Sequence, residues 1–336
     1  MSLNLLCLSR PELADGTAKR YDDPPSLVGA LTDALTPFGD TVALSFTDPD
    51  APDADLLART DAVVCGSLSE DLRARMPRLR WVQFWSAGVD GKLFPAMWEN
   101  DAVVTTGAGV HVAAASEHVL SLMLAFARGL PQSFAAQRER DWSARNRIAP
   151  GIFELDGKTV GIVGAGEIGQ AIAKRCKAFG MRTVGTRRDV SRGADGFDVL
   201  LPHIQYHELI LESNFIVLAL PLTPHTKWIF GEDEIEILHK GTYLFNIGRG
   251  GLIDETWVYK ALKNKWLAGA GLDVFTDEPL PADSPFWDLD NVIITPHLGG
   301  ATPAYWSRLA KLVAEQTRRM ISGEPLRNVV RRDLGY

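Results

Sequence analysis

Three side chains stand where they could do chemistry: Arg249, Glu278 and His297. Each lies in a short motif: Asn246-Ile-Gly-Arg-Gly-Gly-Leu-Ile-Asp254, Leu272-Asp-Val-Phe-Thr-Asp-Glu-Pro-Leu280 and Thr295-Pro-His-Leu-Gly-Gly-Ala-Thr302. Every one of these motifs begins where an apolar, strand-like run ends. In an open α/β sheet the carboxyl ends of the strands form the ligand edge, so the three are expected to converge on one crevice. Their types suit reduction of a 2-oxo acid, which needs a cation for its carboxylate and carbonyl and an acid for the carbonyl oxygen. A histidine, with an ordinary pKa near ~6.5, becomes a better proton carrier at neutral pH when a carboxylate partner raises that value. Singly, an arginine after a strand is more often a surface ion-pair partner and a histidine near proline a structural hydrogen-bonder. Their order, downstream of a glycine motif, gives them meaning.

That glycine motif is Thr159-Val-Gly-Ile-Val-Gly-Ala-Gly-Glu-Ile-Gly169, an apolar strand running into a turn and then a helix. Gly164, Gly166 and Gly169 make the GxGxxG pattern of a dinucleotide site, with Glu167 and Ile168 opening the helix. The first glycine permits the tight turn, the second admits a pyrophosphate to the backbone, and the third lets helix and strand pack closely. An NAD site places an acid about 20 residues further on, for the ribose 2′-hydroxyl. Here the segment is Val184-Gly-Thr-Arg-Arg-Asp189, with Arg187 where that acid is expected. Thr186, Arg187 and Arg188 suit a 2′-phosphate, so NADP is the favoured coenzyme. A register slip of two residues would return Asp189 to that position and NAD with it.

The elements that must position these groups follow from hydrophobic periodicity. Strands are expected at Leu3–Leu8, Thr41–Phe46, Ala62–Cys65, Arg80–Trp85 and Ala102–Thr105, with helices at Pro24–Leu35 and Glu70–Met76. A helix from about His111 to Arg128 follows, with Val112, Ala115, Val119, Leu122, Met123 and Phe126 at helical spacing. The polar stretch from Gln132 to Pro150 carries four arginines and Trp142, and suits a solvated surface connection or a dimer arm. Beyond it come strands at Thr159–Val163, Arg182–Gly185, Phe215–Leu220, Thr242–Asn246, Ala270–Val274 and Val292–Thr295, with helices at Ile168–Ala178, Glu232–Leu238, Glu255–Lys263 and Pro303–Ser322. Buried runs separated by helices imply parallel sheets covered on both faces.

Composition sets bounds. With 336 residues, 46% hydrophobic and 23% charged, the chain suits two globular domains. A net charge of -7 argues against general affinity for nucleic acid or anionic membranes. No apolar run approaches the roughly 20 residues of a membrane span, and Met1–Leu8 lacks the basic flank of a signal peptide. Cys7, Cys65 and Cys176 lie far apart without a CxxC pair, so a reducing cytoplasmic setting is expected, with no metal site.

Together with Trp81-Val-Gln-Phe-Trp-Ser-Ala-Gly-Val-Asp90, these motifs make the sequence similar to the D-isomer-specific 2-hydroxyacid dehydrogenase family over nearly its whole length. The resemblance implies two doubly wound parallel-sheet domains: a Rossmann cofactor domain (107–300) inserted into a flavodoxin-like substrate domain (1–106 with 301–336). It implies a catalytic Arg249, Glu278 and His297, and a loop at Ser86, Ala87 and Gly88 that binds substrate carboxylate through backbone amides. It assigns the nicotinamide carboxamide to Asp273 and adds Leu220, Pro221, Ile247, Gly299 and Gly300 to the coenzyme's surroundings. Dimerisation elements are implied at 111–150, hence a homodimer. Formate dehydrogenases carry glutamine at the position of Glu278, phosphite dehydrogenases a lysine where this chain has Ser86-Ala87, and many phosphoglycerate dehydrogenases an extension beyond Val330. Glyoxylate/hydroxypyruvate reductase-like members fit best, with a dinucleotide-sensing corepressor on the same fold as the alternative. Tyr305 and Trp306 either shape the pocket or pack the hinge.

Overall fold

The computed structural model describes residues 2–9, 26–332 and 334–335. They divide into two units, 1–111 with 302–336, and 112–301.

The first unit is built on five parallel strands, β1 (Leu3–Leu8), β2 (Val42–Thr47), β3 (Ala62–Cys65), β4 (Trp81–Phe84) and β5 (Val103–Thr105), in the order β2-β1-β3-β4-β5. Because side chains alternate along a strand, each strand feeds two cores. Leu3, Leu5, Cys7, Ala62, Val64 and Trp81 pack under the helices Leu27–Leu35 and Tyr305–Ser322. Leu6, Leu8, Val63, Cys65, Val82 and Phe84 form the opposite core with Leu57 and Met76. The expected helix start at Pro24 lies outside the described residues; Ser26 caps Leu27–Leu35 by accepting the Gly29 amide at 3.1 Å.

The second unit holds seven parallel strands: β6 (Thr159–Val163), β7 (Arg182–Arg187), β8 (Val199–Pro202), β9 (Phe215–Leu218), β10 (Tyr243–Asn246), β11 (Gly269–Leu272) and β12 (Val292–Ile294). Their order, β12-β11-β10-β9-β6-β7-β8, reverses direction between β6 and β9, the switch point at which dinucleotides bind. On one face Val160, Ile162, Phe215, Val217 and Phe245 pack against the helices Val112–Ala127 and Glu167–Ala178. On the other, Val184, Ile216, Leu218, Leu244, Ala270 and Leu272 meet Leu209 and Ile210 of the helix Tyr206–Glu212 and Val258, Ala261 and Leu262 of Glu255–Lys263.

Several elements depart from the sequence expectation. β8 adds a seventh strand at the sheet edge, and Tyr206–Glu212 and Ala54–Arg59 are helical. The polar stretch opens with a helix, Leu130–Glu139, with proline in its first turn and a left-handed Gly129 before it. Only Ala136 of that helix is buried, so apolar periodicity is silent there. No single helix among the described residues is long and apolar enough to cross a membrane. All three cysteines are unpaired and buried, and burial pushes the Cys7 and Cys176 thiols up to about 12.

Close approach of helix and sheet depends on missing side chains. A Cβ on Gly169 would lie 2.2 Å from the Gly164 carbonyl oxygen, whereas nothing lies within 4 Å of the corresponding point on Gly166. At Gly185 the obstacle is the ring of Phe197, 2.4 Å away. Gly169→Ala is therefore expected to lower unfolding free energy by about 1–3 kcal/mol. Gly166→Ala should stay within about 0.5 kcal/mol of the parent. Urea denaturation of the two variants measures both, and a larger loss at Gly166 would contradict the packing described.

Candidate active site

The glycine turn joins β6 to the helix Glu167–Ala178 at the switch point of the sheet. Gly164 has φ +109°, and a Cβ there would lie 2.5 Å from the Ala219 carbonyl oxygen and 3.2 Å from the Leu220 Cβ. The Ala165 amide donates to the Thr186 carbonyl at 2.8 Å, pinning the turn to β7. Gly166 is the helix N-cap and brings no side-chain cap, which leaves first-turn amides and the positive dipole end facing open space. That cradle fits a pyrophosphate. Leu220 and Pro221 continue from β9 beside it; the Pro221 carbonyl accepts from the Thr226 hydroxyl at 2.7 Å. Ile247 follows β10 and packs against the core beneath the Val112–Ala127 helix.

β7 ends at Arg187, in register with Pro202 of β8. The Arg187 guanidinium donates to the Gly193 carbonyl. Asp189 lies beyond the strand and caps the turn Val190–Arg192, accepting the Ser191 amide at 3.1 Å and its hydroxyl at 2.5 Å. The Ser191 hydroxyl bond holds the Asp189 carboxyl below its usual range. The strand end thus belongs to Thr186 and Arg187, with Arg188 next.

Asp273, immediately after β11, is 2% exposed and organises the histidine loop. Its amide donates to the Asn246 carbonyl at 3.0 Å and its carbonyl accepts the His297 amide at 2.9 Å. One carboxylate oxygen accepts the Thr295 hydroxyl at 2.6 Å and the Leu298 amide at 2.8 Å; the other accepts the Gly299 amide at 2.8 Å. His118, from the helix Val112–Ala127, places Nε2 3.0 Å from the Thr295 hydroxyl and 3.4 Å from the carboxylate. Thr295 has already given its proton to Asp273, so His118 Nε2–H must be the donor. Burial opposes ionisation of Asp273, but the bonds from His118, Thr295, Gly299 and Leu298 outweigh it and hold the carboxyl below its usual range. A Cβ on Gly299 would meet that carboxylate at 2.8 Å. Gly300 follows in the same loop.

So held, His297 adopts φ +53°, the left-handed region that non-glycine residues rarely enter. Its Nδ1 lies 2.7 Å from Glu278 Oε2, and Glu278 Oε1 accepts the Phe275 amide at 3.0 Å. An ionised carboxylate only accepts, so Nδ1 carries a proton and Nε2 is the ring nitrogen left to exchange one. The His297 side chain is 52% exposed, as a group that meets a ligand must be. Arg249 sits on a turn braced by Asn246, whose side-chain amide donates to the Arg249 carbonyl at 2.9 Å and whose oxygen accepts the Gly248 amide at 3.1 Å. A Cβ on Gly250 would come within 1.9 Å of the Phe275 carbonyl carbon, so the arginine turn lies directly on the backbone leading to Glu278. The Arg249 guanidinium donates to the Gly248 carbonyl at 2.7 Å. Asp254, last of the arginine motif, caps the helix Glu255–Lys263.

Ser86, Ala87 and Gly88 belong to the first unit, in the loop after β4. The Ser86 hydroxyl donates to the Gly88 carbonyl at 2.7 Å and accepts from Lys92 Nζ at 2.9 Å. Tyr305 and Trp306 stand beside it: the Tyr305 hydroxyl donates to the Trp85 carbonyl at 2.7 Å, and Trp306 meets Trp85 edge-on, centroids 5.7 Å apart. Two residues the sequence reading missed, His118 and Lys92, support these loops. His118 had a signal: it shares a helix face with Ala115 and Leu122, where a polar residue needs a partner. Among the described residues no group of three or more His, Cys, Asp or Glu side chains is arranged to hold a metal ion.

Fold and site define a class, a dinucleotide-binding α/β protein with a paired histidine and glutamate on its ligand edge. Residues 120–299 match the family model for the D-isomer specific 2-hydroxyacid dehydrogenase NAD binding domain. D-3-phosphoglycerate dehydrogenase of Methanocaldococcus jannaschii is 37% identical over 83% of this chain, which spans 52% of that longer protein. Glyoxylate reductase of Thermococcus litoralis is 34% identical over 85% of this chain and 89% of its own. Among solved structures, the NADPH-dependent glyoxylate/hydroxypyruvate reductase of Sinorhizobium meliloti, in complex with NADP and sulfate, superposes with a TM-score of 0.80 at 29% identity, covering 100% of both chains. The chain belongs to the D-isomer specific 2-hydroxyacid dehydrogenase family.

Asp273 supplies a pH-dependent test. A carboxyl held below its usual range stabilises the fold above its unfolded pKa, near ~3.9, and that contribution is lost as pH falls through the lower folded value. Asp273→Asn is expected to cost roughly 2 kcal/mol or more at neutral pH, with the gap to the parent closing only on acidification below about 4. Denaturation across pH measures it; a gap that widens in acid would refute the ionised, hydrogen-bonded state.

Proposed function

We propose that the chain reduces a small 2-oxo acid of the glyoxylate or hydroxypyruvate kind to its D-2-hydroxy acid at the expense of NADPH. The observation that carries this is the 2.7 Å contact between His297 Nδ1 and Glu278 at the ligand edge of a dinucleotide-binding sheet. When bound, the nicotinamide supplies the hydride. Glu278 fixes the imidazole tautomer and orientation, so that His297 Nε2 hands a proton to the substrate oxygen. Arg249 pairs with the substrate and polarises its carbonyl, and the amides of Ser86, Ala87 and Gly88 take the carboxylate. Gly164, Gly166, Glu167, Ile168 and Gly169 hold the pyrophosphate; Leu220, Pro221, Ile247, Gly299 and Gly300 flank the coenzyme. Asp273 is proposed to meet the carboxamide through whatever acceptor capacity its loop leaves. The names of the Thermococcus and Sinorhizobium relatives support glyoxylate, and the Methanocaldococcus relative makes 3-phosphoglycerate the competing substrate.

The preference for NADP over NAD rests on Thr186, Arg187 and Arg188 at the strand end, with Asp189 engaged in its own turn. A second copy of this chain is the proposed partner, along 130–152, where Leu130, Phe134, Trp142 and Ile152 are exposed. Three buried, unpaired cysteines suit a reducing, cytoplasmic setting.

His297→Ala is expected to lower kcat by about 10²–10⁴ while leaving the NADPH Kd within about twofold. Steady-state turnover and coenzyme fluorescence titration test this on a panel of 2-oxo acids, 3-phosphoglycerate included; normal turnover would remove His297 from the proton step. Coenzyme binding without turnover on any substrate would favour a sensor. Arg187→Asp should shift kcat/KM from NADPH toward NADH by about tenfold or more. Equal efficiency of the parent with both coenzymes would refute the assignment of Arg187.

A further inference from the structure

In the loop after β4 the carbonyls of Trp85, Ser86 and Gly88 are engaged, and the Ser86 and Ala87 amides are turned away from the partners of the first two. The Trp85 carbonyl accepts from the Tyr305 hydroxyl at 2.7 Å, the Ser86 carbonyl accepts the Gly107 amide at 2.9 Å, and the Gly88 carbonyl accepts the Ser86 hydroxyl at 2.7 Å. In a trans peptide N–H and C=O point in opposite directions, so the Ser86 and Ala87 amides face away from Tyr305 and Gly107. Among the described residues none accepts a hydrogen bond from the amides of Ser86, Ala87 or Gly88. Ala87 is exposed. Beneath this turn lies the half-buried Lys92, whose ammonium donates to the Gly66 carbonyl and to the Ser86 hydroxyl, each at 2.9 Å, and lies 5.9 Å from the Phe84 ring centroid. By donating to the Ser86 oxygen, Lys92 obliges the hydroxyl proton to point at Gly88 and so closes the turn.

We propose that Lys92 is the positioning residue and fixed cation of the carboxylate-binding turn, and that it selects charged 2-oxo acids over uncharged analogues of the same shape. Backbone donors without acceptors among the described residues, an ammonium bonded to the same turn through the Ser86 hydroxyl, and the exposed Ala87 together make an anion site. Its bonds to the Gly66 carbonyl and the Ser86 hydroxyl hold the ammonium in place, so the turn is braced without a side chain having to be ordered when the substrate arrives. A fixed charge of this kind acts equally on the substrate and on the transition state, because the carboxylate keeps its charge throughout the reaction. Its removal therefore raises KM and leaves kcat largely alone.

The role assigned to Lys92 rests on the reaction proposed above, and the test separates the two. Lys92→Met is expected to raise KM for glyoxylate by about tenfold or more, with kcat within about threefold and the KM for NADPH unchanged. The Kd of oxamate, a non-reducible 2-oxo acid isostere, measured by calorimetry on the NADPH complex, should rise in parallel. The preference for glyoxylate over its methyl ester should fall, and Lys92→Arg should restore most of both. Lys92→Gln, which keeps a donor and drops the charge, carries the same expectations with less disturbance of the fold. Unchanged oxamate affinity in a folded Lys92 variant would overturn the assignment, as would equal losses in kcat and in both KM values. A parent protein that binds oxamate but reduces no 2-oxo acid would sink the reaction, and the oxamate comparison would still decide Lys92.

Discussion

The site depends on one buried carboxylate. Asp273 is almost without solvent, and a charge so placed is tolerable only when its lone pairs are filled by donors. Those donors come from the loop it organises: the Thr295 hydroxyl and the amides of Leu298 and Gly299, with His118 closing the network from a helix far away in sequence. The backbone of the same residue ties β10 on one side and His297 on the other. The left-handed backbone of His297 persists because the residues on either side of it are fastened to Asp273. Rigidity in the histidine loop thus comes from one anion in the interior, solvated by protein instead of water.

The sheet determines where that anion can act. Reversal of the strand order between β6 and β9 opens a crevice at the carboxyl edge, and the glycine turn, the Arg249 turn, Asp273 and the histidine loop all emerge on that edge. Their mutual placement is set by backbone packing, Gly250 lying against Phe275 and Gly164 against Ala219, before any side chain chooses a rotamer. Two residues add charge of a different kind. Arg187 closes β7 with a guanidinium, and Lys92 supports the loop of the other unit with an ammonium.

Much of this was legible in the sequence. β6, Ala62–Cys65 and Phe215–Leu218 announced themselves as apolar runs, and the glycines of the fingerprint fell between a strand and a helix as their spacing required. Ambiguity remained where sequence spacing alone had to choose a register: only the pairing of Arg187 with Pro202 separates Arg187 from Asp189 as the residue at the strand end. β8 escaped notice because Val199–Pro202 is short, ends in proline and is only partly buried at the sheet edge. The helix Leu130–Glu139 escaped because it buries a single side chain, although Pro131 in its first turn was a readable start signal. The helix-face position of His118 shows that it needs a partner but not which one, and Lys92 carries no local signal, since the meaning of each comes from partners on other elements.

The glycines fall into two kinds that differ in what a second mutation could repair. At Gly185 the space is taken by a phenylalanine ring, so a larger residue there and a smaller one at Phe197 form a compensating pair. At Gly164, Gly169 and Gly250 the space is taken by carbonyl and peptide atoms of Ala219, Gly164, Phe275 and Thr276. No substitution elsewhere removes a peptide group. Lesions at these positions therefore have no local side-chain suppressor, and repair would require the backbone of the glycine turn or the arginine turn itself to move.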